Sequence, residues 1–187
     1  MPTAMSRFTI HDDLSAPEGS LPVIKGALAS AGQLPNLVGV LAGSPAALRG
    51  YARFAGELRH GILDVPTKER LSLAVAEHFR STPGVKMHQR LARRNGVGID
   101  EVKLARNFAS ADEKQDVLLR YVGHLLRKRS QPPAALQEEA LELGWTEEEL
   151  LESIAFASVE VFSALVNIAG DVPVDGSTEE SRELRAA

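Results

Sequence analysis

The sequence of 187 residues contains no cysteine. A chain without cysteine forms no disulfide bond and offers no thiolate, which is the nucleophilic form of this side chain. Whatever its fold, the chain therefore performs no thiol or disulfide chemistry of its own. Because the lack of cysteine does not identify the cellular compartment, the default expectation is a cytoplasmic location.

Aromatic residues are also scarce, and the chain has no excess of positive charge. Aromatic side chains make up 5% of the residues, so the core must consist mostly of Ala, Leu and Val, which suit close packing between helices. The net charge of −4 argues against a surface that neutralises phosphates, and we expect no nucleic-acid partner. We find no apolar run that approaches the ~20 residues needed to cross a bilayer, and we expect no membrane partner.

Capping and breaking residues divide the chain into helices. Gly32 is placed to end an early helix, and two capping boxes, Ser110 with Glu113 and Thr146 with Glu149, are placed to begin later ones. No stretch shows strand alternation followed by a hairpin turn. The sequence therefore predicts an all-α fold. We expect an N-terminal arm over residues 1–20, a single helical domain over 21–172 and a polar C-terminal tail over 173–187.

Few motifs in the sequence carry chemistry. None of the five histidines forms the i, i+4 pair around a glutamate that marks a zinc helix, and we expect no metal ion. No Gly-rich loop follows a predicted strand, and we expect no cofactor. The remaining candidates are Glu69, near the start of a helix that is apolar nearly all round, and His88, which follows the Pro83-Gly84 turn. A glutamate and a histidine brought together in a helical core could share a proton.

The run from Lys68 to Gly96 resembles the core motif of the alkylhydroperoxidase D-like family, which includes the carboxymuconolactone decarboxylases. That motif has a glutamate, then Cys-x-x-Cys, then a histidine four residues after the second cysteine, and a helix that ends in Ala-x-x-x-Gly. Glu69 and His88 match the glutamate and the histidine, whereas Ser81 and Gly84 stand at the two cysteine positions. Similar flanking segments lie at Leu34-Pro35-Asn36-Leu37 and at Val166-Asn167 with Pro173 and Asp175, but Ile168 stands where the family's downstream histidine usually stands.

The resemblance implies an alkylhydroperoxidase D-like helical bundle with a central helical hairpin, assembled as a homotrimer or hexamer. A serine hydroxyl does not replace a thiolate of low pKa, so thiol peroxidase activity is not expected. We expect Glu69 and His88 to face each other in the core. We also expect Gly84 to leave room for a small molecule on the same helix face.

Two functional hypotheses remain open at this stage. In the first, the chain is a redox-inactive binding or structural oligomer. In the second, it is a thiol-independent lyase or decarboxylase that acts on a small lactone or carboxylate, with His88 as general acid–base and Glu69 as its support. Arg80, Lys86 and Arg90 lie near the motif and are candidate anchors for a substrate carboxylate, although each is equally explained as helix-surface charge.

Overall fold

The computed structural model describes residues 6–176. Within this range the secondary structure consists of α-helices and a short 3-10 turn at Glu18–Ser20, with no β-strand. This confirms the predicted all-α fold. The first five residues of the predicted arm and residues 177–187 of the predicted tail lie outside the described range. The helices are α1 (Leu21–Ala31), α2 (Asn36–Leu41), α3 (Pro45–Arg59), α4 (Val65–His78), α5 (Thr82–Arg94), α6 (Ile99–Ala105), α7 (Glu113–Lys128), α8 (Ala134–Glu142) and α9 (Glu147–Gly170).

One of the two predicted capping boxes begins a helix. At the start of α9, the backbone N–H of Glu149 donates to Oγ1 of Thr146 over 3.1 Å, and the backbone N–H of Thr146 donates to Glu149 Oε2 over 2.8 Å. The reciprocal bonds satisfy two donors that the first turn would otherwise leave open. Gly32 directly follows α1 and has a left-handed backbone conformation, with φ at 74°. This conformation ends the helix, as predicted.

The prediction of the other capping box, Ser110 with Glu113, is wrong. Asp112 caps α7 instead, because its carboxylate accepts from the backbone N–H of Gln115 over 2.9 Å. The Ser110 hydroxyl donates to Glu101, a residue of α6, and is therefore engaged elsewhere. Aspartate is as favourable as serine at the N-cap position of a helix.

The described chain divides into two compact units, residues 6–57 with 165–176, and residues 58–164. In the first unit, the backbone N–H of Asn36 donates to Asp175 Oδ1 over 2.8 Å, and its side-chain amide donates to the carbonyl of Pro173 over 3.1 Å. These bonds join the two flanking segments that carry part of the family resemblance. The division into arm, single domain and tail stays a prediction. The core of this unit contains Ile24, Leu41, Ala42 and Leu48.

The second unit is organised around the hairpin of α4 and α5. Helix α4 is buried on two sides, because Leu71 and Val75 belong to one apolar cluster with residues of α7 and α9, whereas Leu73 belongs to another with residues of α5 and α6. This explains why α4 is apolar nearly all round its axis. The central hairpin predicted from the family resemblance is therefore present.

Helix α9 corrects one expectation from the sequence. It is long and apolar enough to cross a membrane by length and composition alone, although no run of that kind was expected. The buried helix of a soluble protein core has the same composition, and Glu160, in the middle part of α9, is only 13% exposed. The expected absence of a membrane partner stays a prediction.

Candidate buried charge site

The α4–α5 hairpin positions both residues that the sequence analysis selected. Asp64 caps α4 by accepting from the backbone N–H of Thr67 over 2.7 Å, and Glu69 follows in the second turn. On α5 the buried residues are Gly84, His88 and Ala92, each four positions from the next. This spacing places them on one face of the helix, and α5 turns that face inward.

The structure brings Glu69 and His88 into direct contact. Nδ1 of His88 lies 3.0 Å from Oε2 of Glu69, with 7% of the histidine side chain and 12% of the glutamate side chain exposed. A contact this short between a ring nitrogen and a carboxylate is a hydrogen bond, and in it Nδ1 donates. The two residues therefore form the buried pair that their register in the motif predicted.

Glu160 of α9 approaches the other side of the ring, and the sequence analysis missed it. Its Oε2 lies 3.2 Å from Nε2 of His88, as an ion-pair contact whose alignment is short of a hydrogen bond. A signal was available, because Glu160 is the one charged residue between Ser153 and Gly170. A lone carboxylate in so apolar a helix requires a partner if the helix is buried.

The two carboxylates determine the charge state of His88. Burial by itself lowers the pKa of the imidazole, but the nearby carboxylates of Glu160 and Glu69 more than offset this and raise the pKa of His88 to about 10. At neutral pH the side chain is an imidazolium with a carboxylate at each ring nitrogen. Such a group is a poor general base near pH 7, because its lone pair is unavailable.

Ser81 and Gly84, which the resemblance aligns with the family's two cysteines, lie in the same hairpin. Ser81 is the N-cap residue of α5 and is buried. At Gly84, an added Cβ would lie 3.1 Å from Cβ of Ala76 and 3.1 Å from Oγ of Ser81. The expectation that Gly84 leaves room for a small molecule is therefore wrong on this side of the helix, because α4 already occupies the space.

The three candidate anchor residues lie on the surface. Arg80 is exposed just after the end of α4, and Lys86 and Arg90 are exposed on α5 on either side of the buried His88. Two positions along a helix correspond to about half a turn, so Lys86 and Arg90 do not share the face of His88. Their role as substrate anchors stays a prediction.

Two open clefts elsewhere in the described chain do not include the buried pair. One, of about 470 Å³, contains Arg120, which pairs with Asp116 and Glu139 within it, and the other, of about 170 Å³, lies beside Tyr121 and Leu151. Over residues 6–176, no group of three or more His, Asp or Glu residues is arranged to hold a metal ion. The site is thus defined by its buried charges.

The comparisons with solved structures identify the class of fold. A peroxidase-related protein with an alkylhydroperoxidase AhpD core from Ralstonia eutropha JMP134 is 17% identical, with a TM-score of 0.80 over 93% of this chain and 94% of that one. A peroxidase-related protein from Silicibacter sp. TM1040 is 15% identical, with a TM-score of 0.78 over 94% of each chain. The debrominase Bmp8, solved as a cysteine-to-alanine variant with 2,3,4-tribromopyrrole, is 16% identical, with a TM-score of 0.71 over 98% of this chain and 97% of that one. The chain therefore has an alkylhydroperoxidase D-like fold.

A family model matches part of the sequence. Residues 45–121 match the model of the carboxymuconolactone decarboxylase family. No curated protein matches the chain in sequence. The matched segment contains the α4–α5 hairpin, and therefore Glu69 and His88. The chain is therefore similar to this family over residues 45–121, has an alkylhydroperoxidase D-like fold and contains no cysteine.

Proposed function

We propose that this chain is a redox-inactive binding or structural homo-oligomer, in which the glutamate–histidine pair of the family holds helices together instead of moving protons for a thiol. The observation that carries the proposal is the combination at one site of a missing cysteine pair and a histidine with both ring nitrogens facing carboxylates. The first feature removes the nucleophile, and the second removes a free base.

The alternative, an acid–base enzyme for a small lactone or carboxylate, has less support. His88 would need an open ring nitrogen, yet Glu69 and Glu160 stand at the two nitrogens. A substrate carboxylate would have to approach a buried site that already holds two negative charges, and like charges at such distances repel strongly. At 16% identity, the similarity to the debrominase is evidence for a shared fold only. The tribromopyrrole bound to that protein is therefore no evidence for a substrate of this chain.

The proposal predicts no peroxidase activity. Purified protein, free of haem and metal, should consume neither hydrogen peroxide nor an alkyl hydroperoxide above the buffer rate with dithiothreitol as reductant, because the chain offers no thiolate to attack the peroxide. Peroxide consumption should be followed over time in the presence of a chelator. Turnover that scales with protein concentration would contradict the prediction, and loss of that turnover in a His88→Gln variant would favour the acid–base alternative.

The homo-oligomer is proposed from the surface of α9 together with the family resemblance. Leu151 and Phe162 are exposed, at 68% and 38%, and Ala155 lies between them on the same face at helical spacing. An apolar strip of this kind on a helix is a common site of contact between subunits. The small side chain of Ala155 would allow a partner helix to approach closely.

Light scattering coupled to gel filtration should therefore detect an oligomer at micromolar concentration. The Leu151→Glu variant should shift the mass distribution toward the monomer, because it places a charge within the proposed contact. Leu14→Glu is the matched control, since Leu14 is 91% exposed but lies in the other unit, far along the chain. A stable wild-type monomer would contradict the proposal.

A further inference from the structure

We propose that Glu160 is a positioning residue that holds His88 as a fixed cation and joins α9 to the α4–α5 hairpin through a buried carboxylate–imidazolium–carboxylate triplet. The inference rests on the proposed function in treating the cluster as structural. It adds a third residue from a distant part of the chain and a defined charge state. It is tested by the protonation of His88, which is read independently of any activity.

Both ring nitrogens of His88 face a carboxylate. An imidazole has two, and here each faces an oxygen of a different helix, Glu69 Oε2 of α4 at 3.0 Å from Nδ1 and Glu160 Oε2 of α9 at 3.2 Å from Nε2. A half-turn of the ring about the Cβ–Cγ bond would exchange Nδ1 with Cδ2 and Nε2 with Cε1, so both nitrogens would move away from their carboxylates. Glu160 therefore fixes the orientation of His88 as well as its charge.

The chemistry of the two ring nitrogens favours the doubly protonated form of His88. A neutral imidazole carries a proton on one nitrogen and a lone pair on the other. Whichever tautomer formed, the lone pair would point toward a carboxylate oxygen of Glu69 or Glu160, and two acceptors would face each other. Only the doubly protonated ring gives each carboxylate a donor, so the geometry itself favours the cation.

The burial of the two carboxylates also favours a cation between them. Glu69, His88 and Glu160 all have side chains that are less than 15% exposed, and burying a carboxylate without a cation is costly. No other cation forms an ion pair with Glu160 among the described residues. Burial lowers the pKa of His88, but the carboxylates of Glu160 and Glu69 raise it overall, to about 10, which agrees with the geometric argument.

The triplet makes stability depend on alkaline pH, with a definite sign. Because the pKa of His88 is raised in the folded state, the stabilisation is fully present below the ordinary histidine pKa of about 6.5 and is lost as pH rises toward about 10. The thermal midpoint of the wild-type protein should therefore fall between pH 7 and pH 10. In Glu160→Gln this fall should be smaller over the same range, because one of the two carboxylates that raise the pKa is gone.

The direct test is an NMR titration of the His88 ring in the wild-type chain, Glu160→Gln and the matched control Glu77→Gln. Glu77 also pairs with a cation, Arg106 at 2.8 Å, but it is partly exposed and is not among the groups that shift the pKa of His88. We expect wild-type His88 to stay protonated through pH 8, Glu160→Gln to lower its pKa by about 1–3 pH units, and Glu77→Gln to leave it unchanged.

Two results would overturn the inference. One is a wild-type His88 that titrates near pH 6.5, and this measurement needs no variant that might fail to fold. The other is a folded Glu160→Gln protein whose His88 titrates as in the wild type. Peroxide or substrate turnover by a wild-type protein whose His88 stays protonated through pH 8 would instead refute the proposed function and leave the role of Glu160 intact.

Discussion

Replacing His88 by leucine should lower the free energy of unfolding by about 3–5 kcal/mol, the range for breaking a buried ion pair on one side. Leucine fills much of the space of the imidazole, so the effect is mainly electrostatic. The change leaves the carboxylates of Glu69 and Glu160 buried and facing each other without the cation between them. Chemical denaturation at pH 7, followed by circular dichroism, measures the loss.

Two companion variants separate the charge effect from a packing effect. The triple variant with leucine at Glu69, His88 and Glu160 should recover most of the lost stability, because replacing a whole buried charge cluster by apolar side chains is often neutral or stabilising. His60→Leu is the surface control, and it should change stability by no more than about 0.5 kcal/mol because His60 is exposed. A His88→Leu protein as stable as the wild type would contradict the buried triplet.

The sequence predicted one half of this site and missed the other for a physical reason. Glu69 and His88 lie in one helical hairpin, where the motif spacing and a short turn determine which residues meet. Glu160 lies on a helix that follows much later in the chain. The local spacing of residues does not show which distant helices such a helix packs against. The sequence did contain one unusual feature, a single glutamate in an apolar stretch. A buried glutamate requires a partner, but the sequence does not identify which residue that is.

The fold shows the same division between local and long-range information. The Thr146–Glu149 box was predictable because all its bonds lie within one turn. The Ser110–Glu113 box was not, because the hydroxyl of Ser110 bonds to Glu101 of the preceding helix, a contact that exists only in the folded chain. Gly84 is similar, since its missing side chain reflects the closeness of α4 at Ala76 and creates no open space.

Replacing Gly61 by alanine should lower the free energy of unfolding by about 1–3 kcal/mol, the range for forcing an extra carbon into a packed position. The cause is the carboxylate of Glu152, which an added Cβ at Gly61 would overlap. That carboxylate accepts from the backbone N–H groups of Ile62 over 2.8 Å and Leu63 over 2.9 Å, and it lies 3.9 Å from Nζ of the buried Lys68. It therefore cannot move aside without giving up these partners.

A double-mutant cycle with Glu152→Ala tests this cause directly. Glu152→Ala alone should also destabilise, because it leaves Lys68 buried without its counter-ion, but adding Gly61→Ala to it should cost little, since the obstructing carboxylate is gone. Gly50→Ala is the matched control, because Gly50 lies within α3 with no atom within 4 Å of an added Cβ, and it should gain about 0.5–1 kcal/mol from helix propensity. If Gly61→Ala lowers the free energy of unfolding equally with and without the Glu152 carboxylate, then overlap with that carboxylate is not the cause of the loss.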